Sequence, residues 1–328
     1  MSSREFTARF HSPVATVMGQ FVQQKQACGY KYGEAARLLV RFDRFLCDEA
    51  LSQCELPRCL SRKWLAKQRH ESSSTHRNRV VVVRQLAIYM CQLGYCADVP
   101  DRSLTVKCSS ASFSPRFLTH AEVHELLRAV DQLTPTAHAP LRHRIMPEVF
   151  RLLYGCGFRL GEVLHLRVAD VDLNQGILTV REAKFGKDRL VPPALPLVLR
   201  LQKYAAAFKA RPAAAYFFPS PNGGPWSHSA VYRLYRELLL QCRIAHGGRG
   251  KGPRIHDLRH AYAVHTLLRW CREGADLDAK LPVLATYMGH QSLAGTQRYL
   301  HLTAELFPEI TVRANTAFGD VIPRRIEP

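Results

Sequence analysis

Apolar residues recur every three or four positions through much of the N-terminal third of the chain, and this spacing limits the fold most. The repeat is clearest at Val14–Val22, Ala36–Leu46 and Val80–Leu93. A period of three to four residues places such side chains on one face of a helix. The sequence therefore predicts a helical N-terminal domain over residues 1–98.

The apolar period disappears between residues 98 and 116. This stretch has two prolines, five serines and several basic residues, a composition typical of an exposed connection. Helical periodicity resumes after Thr119, which is followed three residues later by Glu122 in the pattern of a capping box. We therefore predict a basic linker over residues 99–116 and a second domain over residues 117–328.

The second domain contains one clear pair of strands. Gly176–Val180 is apolar and largely β-branched, and Arg189–Pro192 returns after a turn that carries Lys184. Helical patterns dominate the rest of this domain. The predicted fold is mainly α, with a helical N-terminal domain followed by a mixed α+β domain that is mostly helical and has a small antiparallel sheet.

Positive charge is in large excess over the whole chain. Lys and Arg number 46 against 27 Asp and Glu, a formal net charge of +19. Such a surplus favours a polyanionic partner, of which nucleic acid is the usual one. Basic residues are dense between Arg58 and Arg84, where Glu71 is the sole acid, although a solvated helix face is the alternative for any one of them. The predicted DNA-binding residues are Arg62, Lys63, Lys67, Arg77 and Arg79 in this stretch, Lys107 in the linker and Lys187 in the hairpin.

The signals of a membrane or secreted protein are missing from the sequence. No stretch reaches the roughly 18 consecutive apolar residues of a membrane-spanning helix, and no apolar signal-peptide core follows Met1. Ten cysteines occur without a C-x-x-C pair, which favours reduced core cysteines over disulfides or zinc. We therefore expect a cytoplasmic, nucleoid-associated protein with no membrane partner.

Five separated fragments of the second domain carry side chains suited to phosphate chemistry. They are Gly157–Glu162, Lys184, His256–His260, Gly289–His290 and Tyr299. Guanidinium groups bind phosphate oxygens through paired hydrogen bonds, and a phenol can act as a nucleophile. The order of these residue types along the chain is more specific than any single fragment.

Taken in order, these fragments resemble the tyrosine recombinase (phage integrase-like) family. That family carries Arg, Lys, His-x-x-Arg, His or Trp, and then Tyr. The matching residues here are Arg159, Lys184, His256, Arg259, His290 and Tyr299. The resemblance spans about residues 117–305 and implies a catalytic domain, whereas the first domain resembles a core-binding domain in size, helicity and charge alone.

The resemblance implies that the phenol and two arginines act on one DNA phosphate. Tyr299 would attack the scissile phosphorus and form a 3′-phosphotyrosine bond, which stores the bond energy so that no ATP is needed. Arg159 and Arg259 would each present a planar fork to the non-bridging oxygens. Glu162 lies three residues after Arg159, close enough on a helix to orient its guanidinium. This chemistry requires neither a cofactor nor a metal.

The resemblance assigns proton transfer to the remaining motif residues. Lys184 would be the general acid that protonates the 5′-oxygen, although Lys187 competes for the role because both lysines lie on the hairpin. Lys184 is preferred for its offset from the returning strand. His256 is the predicted proton acceptor for Tyr299, and His290 would donate a hydrogen bond to the phosphate.

Three alternatives stay open. A type IB topoisomerase uses a similar set of side chains, and a DNA-binding protein with an inactive catalytic set would keep the same charge. His256 and His260 are four residues apart and could ligate zinc, but the glutamate of an H-E-x-x-H motif is absent.

The preferred prediction is a site-specific recombinase for DNA integration, excision or transposition. The resemblance implies a homo-tetramer on two DNA sites, with accessory proteins as further candidate partners. Apolar residues recur after Tyr299, and we expect this tail to dock onto a neighbouring protomer.

Overall fold

The computed structural model falls into two compact units, Met1–Ser114 and Pro115–Pro328. The structure describes residues 9–104, 118–181, 188–208, 211–248, 252–290, 292 and 294–297. Within these ranges, every helix is too short or too polar to cross a bilayer.

Helices account for most of the described part of the first unit, and their apolar faces meet in one core. They are α1 (Ala15–Ala27), α2 (Gly33–Asp48), α3 (Arg58–Leu65) and α4 (Ser73–Gln92), followed by a short 3-10 turn at Arg102–Leu104. Phe21, Phe42 and Leu86 are each at most 1% exposed. Burying a side chain of this size contributes about 2 kcal/mol, so the periodic apolar residues of the sequence supply the core of this unit.

The second unit is mainly helical. Its helices are α5 (His120–Asp131), α6 (Arg142–Gly155), α7 (Leu160–His165), α8 (Leu195–Ala206), α9 (His228–Gln241), α10 (Asp257–Arg272), α11 (Leu277–Met288) and α12 (Ala294–Gln297), with a 3-10 turn at Val168–Asp170. Helix α6 is buried along much of its length and packs against α5, α8 and α10. At the start of α5, Thr119 Oγ1 accepts from the Glu122 amide at 3.2 Å and the Glu122 carboxylate accepts from the Thr119 amide at 2.9 Å. The predicted capping box is thus confirmed.

A small antiparallel sheet lies within the second unit. Its order is β1 (Val171–Asp172), β2 (Ile177–Val180) and β3 (Arg189–Val191). Leu178 in the central strand pairs with Val171 on one side and with Val191 on the other. The two predicted strands agree with β2 and β3 to within one residue at each end, whereas β1 was missed because two residues are too few to show a period. The mainly α fold with a small antiparallel sheet is confirmed.

Candidate active site

Two glycine turns bring the separated motifs of the second unit together. Gly157 precedes α7 with φ of 61°, and Gly289 ends α11 with φ of 69°. In this left-handed region a Cβ crowds the backbone, so glycine is favoured. At Gly157 an added Cβ would also lie 2.6 Å from Cδ1 of Tyr262. Both turns therefore depend on the absence of a side chain.

Arg159 stands at the entrance to α7, and three contacts fix it. Its Nη1 donates to Oε1 of Glu162 at 2.6 Å, and its backbone amide donates to Oε2 of the same carboxylate at 2.8 Å. Its Nη2 donates to the carbonyl of Gly289 at 3.0 Å. The contact predicted between Glu162 and the guanidinium is present, and the arginine also joins the turn before His290.

Glu162 is shared with a second guanidinium, that of Arg189 at the start of β3. Arg189 Nη1 and Nη2 donate to its two oxygens at 3.0 and 2.7 Å, and Nε donates to the Tyr287 carbonyl at 3.1 Å. Burial raises the pKa of Glu162, but the hydrogen bonds and charge of Arg189 and then Arg159 outweigh it and lower the pKa to about 2. The carboxylate therefore stays ionised between the two arginines.

Arg259, in the first turn of α10, is 1% exposed. Its Nη1 donates to the carbonyl of Gly157, and its Nη2 donates to the carbonyl of Met288 at 2.6 Å. These two carbonyls lie at the two glycine turns, while the Gly289 carbonyl holds Arg159. Each arginine is thus held by the backbone of a segment remote from its own, which brings three of the predicted motifs to one place.

Three imidazoles surround the arginines, and each has a lowered pKa. Desolvation by the surrounding protein lowers the pKa of His256 to about 3, and nearby cations, with His260 first and then Arg259, add to the effect. Burial likewise lowers the pKa of His260 to about 4, against the opposing carboxylate of Asp257. For His290, burial and then Arg259 and Arg159 lower it to about 4. All three rings are therefore neutral near pH 7 and can accept a proton.

His290 also contacts the segment that leads to Tyr299. Its Nδ1 lies 2.7 Å from Oγ1 of Thr296, which is 0% exposed and belongs to α12. Thr296 precedes Tyr299 by three residues in the sequence. The orientation of the imidazole is therefore linked to the helix just before the predicted nucleophile, a connection that the sequence motif did not reveal.

The zinc alternative at His256 and His260 has little geometric support. The two rings are nearly perpendicular, at 85° with centroids 4.7 Å apart. Asp257, at 0% exposure, accepts from the backbone amide and guanidinium of Arg254 at 2.7 and 3.1 Å. Across the described ranges, no three His, Cys, Asp or Glu side chains are grouped closely enough to hold a metal.

Four of the six predicted catalytic residues lie in this cluster, namely Arg159, His256, Arg259 and His290. Lys184 and Tyr299 lie outside the described residues, as do Lys107, Lys187 and the apolar tail. Sequence reasoning placed Arg189 in the return strand without assigning it a role at the site. Its signal was present, since it follows Lys184 by five residues and begins β3.

The basic stretch of the first unit separates into exposed and buried members. Arg62, Lys67 and Arg77 are exposed, and Lys63, also exposed, pairs with Glu49 at 2.6 Å. Their exposure is compatible with DNA binding, and their contacts with DNA stay a prediction.

Arg79 requires a correction. Its side chain is 6% exposed, pairs with Glu71 at 3.2 Å and donates to the carbonyls of Trp64 and Ala66 at 2.6 and 3.0 Å. The guanidinium of Arg79 therefore links the start of α4 to the end of α3 inside the first unit instead of facing solvent. Glu71, the sole acid of the basic stretch, is thus the partner of Arg79. Among the residues of this stretch that were predicted to bind DNA, Arg79 is the buried one.

The sequence model of the phage integrase family matches residues 116–305, which is more than half of the chain. A protein of Sinorhizobium fredii named as an integrase/recombinase, y4rE, is 32% identical over 307 residues, covering 92% of this chain and 94% of its own. The tyrosine recombinase XerD of Ralstonia nicotianae is 30% identical over 243 residues, covering 72% of each chain. These relatives span both units of the structure.

Solved structures with the same fold include XerH recombinase bound to a palindromic difH substrate. It matches with a TM-score of 0.59 at 19% identity, covering 84% of this chain and 78% of its own. A lambda integrase dimer bound to a COC′ core site matches with a TM-score of 0.60 at 14% identity, covering 88% and 95%. These structures share the fold, and the family match and the sequence relatives show that the chain belongs to the phage integrase family of tyrosine recombinases, as its motifs predicted.

Proposed function

We propose that the chain is a site-specific DNA recombinase that cuts and rejoins strands through a 3′-phosphotyrosine intermediate, for DNA integration, excision or transposition. The main support for the proposal is that Arg159 and Arg259 are each held by backbone carbonyls of a remote segment. Arg159 is bound by the Gly289 carbonyl, and Arg259 by the Gly157 and Met288 carbonyls. Two guanidiniums fixed in this way, with three neutral imidazoles beside them, form a preorganised site for one phosphodiester.

The proposed strand cleavage exchanges one phosphate ester for another. The phenolic oxygen of Tyr299 forms a bond to phosphorus while the bond from phosphorus to the 5′-oxygen breaks. The phenolic proton passes to His256, and Lys184 protonates the leaving oxygen. Arg159 and Arg259 stabilise the charge on the non-bridging oxygens, at about 3–4 kcal/mol for each preorganised donor. Rejoining reverses the same steps, so no ATP, cofactor or metal is consumed.

The lowered pKa of His256 leaves the ring unprotonated in the free protein but makes it a weak base there, so its role as proton acceptor requires that DNA binding raise the pKa. Because this pKa is about 3, the ring is neutral at pH 7 and has a lone pair to offer. A bound phosphodiester brings negative charge beside the ring, which raises the pKa of the imidazole toward the range where it is an effective base. The protein would thus keep the base unprotonated until the substrate arrives.

Double-stranded DNA is the partner that charge and relatives favour. The XerH and lambda integrase structures hold DNA substrates, and a Tn1549 transposon integrase is bound to circular intermediate DNA. We extend this to the present chain, with residues 1–98 as a core-binding domain, 99–116 as a basic linker and 117–328 as the catalytic domain. In this proposal four protomers assemble on two DNA sites.

A suicide substrate tests the proposal directly. A duplex selected by this chain from a randomised library is rebuilt with a nick beside the cleavage position, so that the cut fragment diffuses away and the protein stays attached. The wild-type chain is expected to give a covalent band on a denaturing gel, and Tyr299→Phe is expected to bind the duplex without forming it. Binding without any covalent band in the wild type would instead identify a non-catalytic DNA-binding protein.

A plasmid with two copies of the selected site separates recombination from topoisomerase activity. A recombinase gives exchanged products whose size depends on the orientation of the sites. A type IB topoisomerase would relax the supercoiled plasmid and leave the two sites unexchanged.

A further inference from the structure

We propose that Arg189 is a positioning residue, which sets the geometry of Arg159 through their shared carboxylate and ties the strand hairpin to the turn before His290. The inference rests on the proposed function, because it concerns how the cleavage site is assembled. Arg189 does not need to touch the phosphate for this role. It acts through Glu162 and through the end of α11.

The contacts of Arg189 reach two separate segments, around α7 and at the end of α11. Its guanidinium forks onto Glu162 in α7, and its Nε donates to the Tyr287 carbonyl in α11. The same group lies over the ring of Phe158 at 5.6 Å, and its Nη1 would lie 3.0 Å from a Cβ placed on Gly289. The side chain is 9% exposed. A planar, buried fork of this kind fixes its partners in one arrangement.

Glu162 has both oxygens committed twice. Oε1 accepts from Arg159 Nη1 and Arg189 Nη1, and Oε2 accepts from the Arg159 amide and Arg189 Nη2. Without Arg189, the carboxylate would be free to turn toward the guanidinium of Arg159. That turn would draw Arg159 away from the Gly289 carbonyl. The guanidinium of Arg159 would keep its charge but would no longer be oriented toward the phosphate.

The position of Arg189 in the hairpin gives the contact a second consequence. It begins β3, where it pairs with Val180 of β2, and Lys184 precedes it by five residues. The fork therefore anchors the end of the hairpin to the carboxylate that orients Arg159. Arg189 would thereby couple the position of the hairpin to the orientation of the Arg159 guanidinium.

The other end of the hairpin supplies a matched control. Arg181 directly follows β2 and pairs with Asp170 at 2.5 Å. Like Arg189, it is a hairpin arginine held by a buried carboxylate, but its partner is Asp170 rather than Glu162, and its own side chain is 59% exposed against 9% for Arg189. Arg181→Met removes an ion pair from the hairpin without touching the carboxylate that orients Arg159.

The experiment compares Arg189→Met, Arg189→Lys and Arg181→Met in three assays on the full chain. These are the single-turnover cleavage rate on the saturating suicide duplex, the affinity for that duplex, and the melting temperature. Arg189→Met is expected to slow cleavage on the order of 100-fold, as a misplaced catalytic group does, with duplex affinity within about twofold of wild type. Arg189→Lys, which keeps a charge but lacks the fork, should fall between, and Arg181→Met should cleave at the wild-type rate.

A double variant tests whether the effect passes through Arg159. In the Arg159→Met background, adding Arg189→Met is expected to slow cleavage by much less than it does in the wild-type chain, because one of the groups that it positions is gone and only its effect on the hairpin remains. Independent, multiplying losses would overturn the inference, as would Arg189→Met at the wild-type rate or an equal loss in Arg181→Met. If Arg189→Met does not fold, Arg189→Lys alone decides, and a wild-type rate there overturns the inference. A wild-type chain that forms no covalent band would overturn the proposed function itself.

Discussion

Two buried arginines, one in each unit, make nearly the same hydrogen bonds but have different neighbours. Arg79 in the first unit donates to the carbonyls of Trp64 and Ala66, and Arg259 in the second to those of Gly157 and Met288. Arg79 is matched by the Glu71 carboxylate at 3.2 Å. Near Arg259, burial lowers the pKa of His256 and His290, and the charge of Arg259 lowers it further.

The comparison shows that burial and hydrogen bonding do not by themselves separate a structural arginine from one held for an anion. Hydrogen bonds to carbonyls hold the side chain in both places and do not distinguish the two. The neighbouring groups do differ, since Arg79 pairs with the Glu71 carboxylate whereas Arg259 lies near two imidazoles. Pairing with a carboxylate is not the criterion by itself, because Arg159 of the proposed phosphate site is paired with Glu162. Fixing the guanidiniums of that site in advance means that little reorganisation is needed when the substrate binds.

Changing each arginine to lysine should separate these roles most strongly. Lysine keeps the charge but loses the planar fork. Arg259→Lys is expected to slow cleavage of the suicide duplex about 100-fold, in line with the loss of one preorganised donor. Arg79→Lys should leave the cleavage rate unchanged and lower the free energy of unfolding by about 1 kcal/mol for a lost hydrogen bond. Equal cleavage rates for Arg259→Lys and Arg79→Lys would contradict the assignment of different roles to the two arginines.

The two units should also differ in how they tolerate a methyl group at a left-handed glycine. At Gly157, alanine would add left-handed strain and a contact with Tyr262 at 2.6 Å, which together cost about 2–3 kcal/mol. Gly29 in the first unit has φ of 84° and nothing within 4 Å of an added Cβ, so Gly29→Ala should cost about 1 kcal/mol. Denaturant unfolding of both variants measures the difference. An equal loss of stability in Gly157→Ala and Gly29→Ala would contradict the strain argument. Because the Gly157 carbonyl holds Arg259, Gly157→Ala should also slow cleavage.

Thr296 offers a smaller change within the second unit. Thr296→Val keeps the buried shape but removes the hydroxyl that lies 2.7 Å from Nδ1 of His290. The imidazole is then free to rotate, and cleavage should slow about tenfold with duplex affinity unchanged, as expected for a lost supporting hydrogen bond. Thr286→Val is the matched control, since the hydroxyl of exposed Thr286 bonds the Pro282 carbonyl of its own helix. A loss of equal size in both variants would show that threonine hydroxyls matter here in general and that the His290 contact does not.

Local patterns in the sequence were sufficient for the helices and for part of the site. The capping box at Thr119 and the contact between Arg159 and Glu162 each span three residues, so one helical turn dictates them. The role of Arg189 could not be read in this way, because its partners Glu162 and Tyr287 lie 27 and 98 residues away. Only the folded chain shows which carboxylate an arginine meets across such distances.

The burial of Arg79 was missed for a different reason. A basic helix face looks the same in sequence whether it faces solvent or packs against a neighbouring helix. The high density of basic residues led us to expect that Arg79 faces solvent. Glu71 was the one local sign that a member of the set is paired. An isolated acid within a basic stretch therefore deserves a structural explanation before its neighbours are assigned to DNA.

The imidazoles of the second unit predict a loss of stability in acid. The pKa of His260 is about 4 in the folded chain and about 6.5 when unfolded. Between these values the unfolded chain binds more protons, so stability present above about pH 6.5 is lost as the pH falls toward 4, at about 1 kcal/mol per pH unit for this group. His260→Gln should flatten that slope by the same amount, while His124→Gln, on the exposed face of α5, serves as the matched control.

Tryptophan fluorescence can confine this measurement to one unit. Trp64 lies in the first unit, whereas Trp226 and Trp270 lie in the second. In a Trp64→Phe background, unfolding by denaturant at pH 7 and pH 5 therefore reports on the second unit alone. A slope as steep in His260→Gln as in its parent would mean that this ring is not held neutral by the fold. His260 would then no longer count among the neutral imidazoles of the site around Arg259.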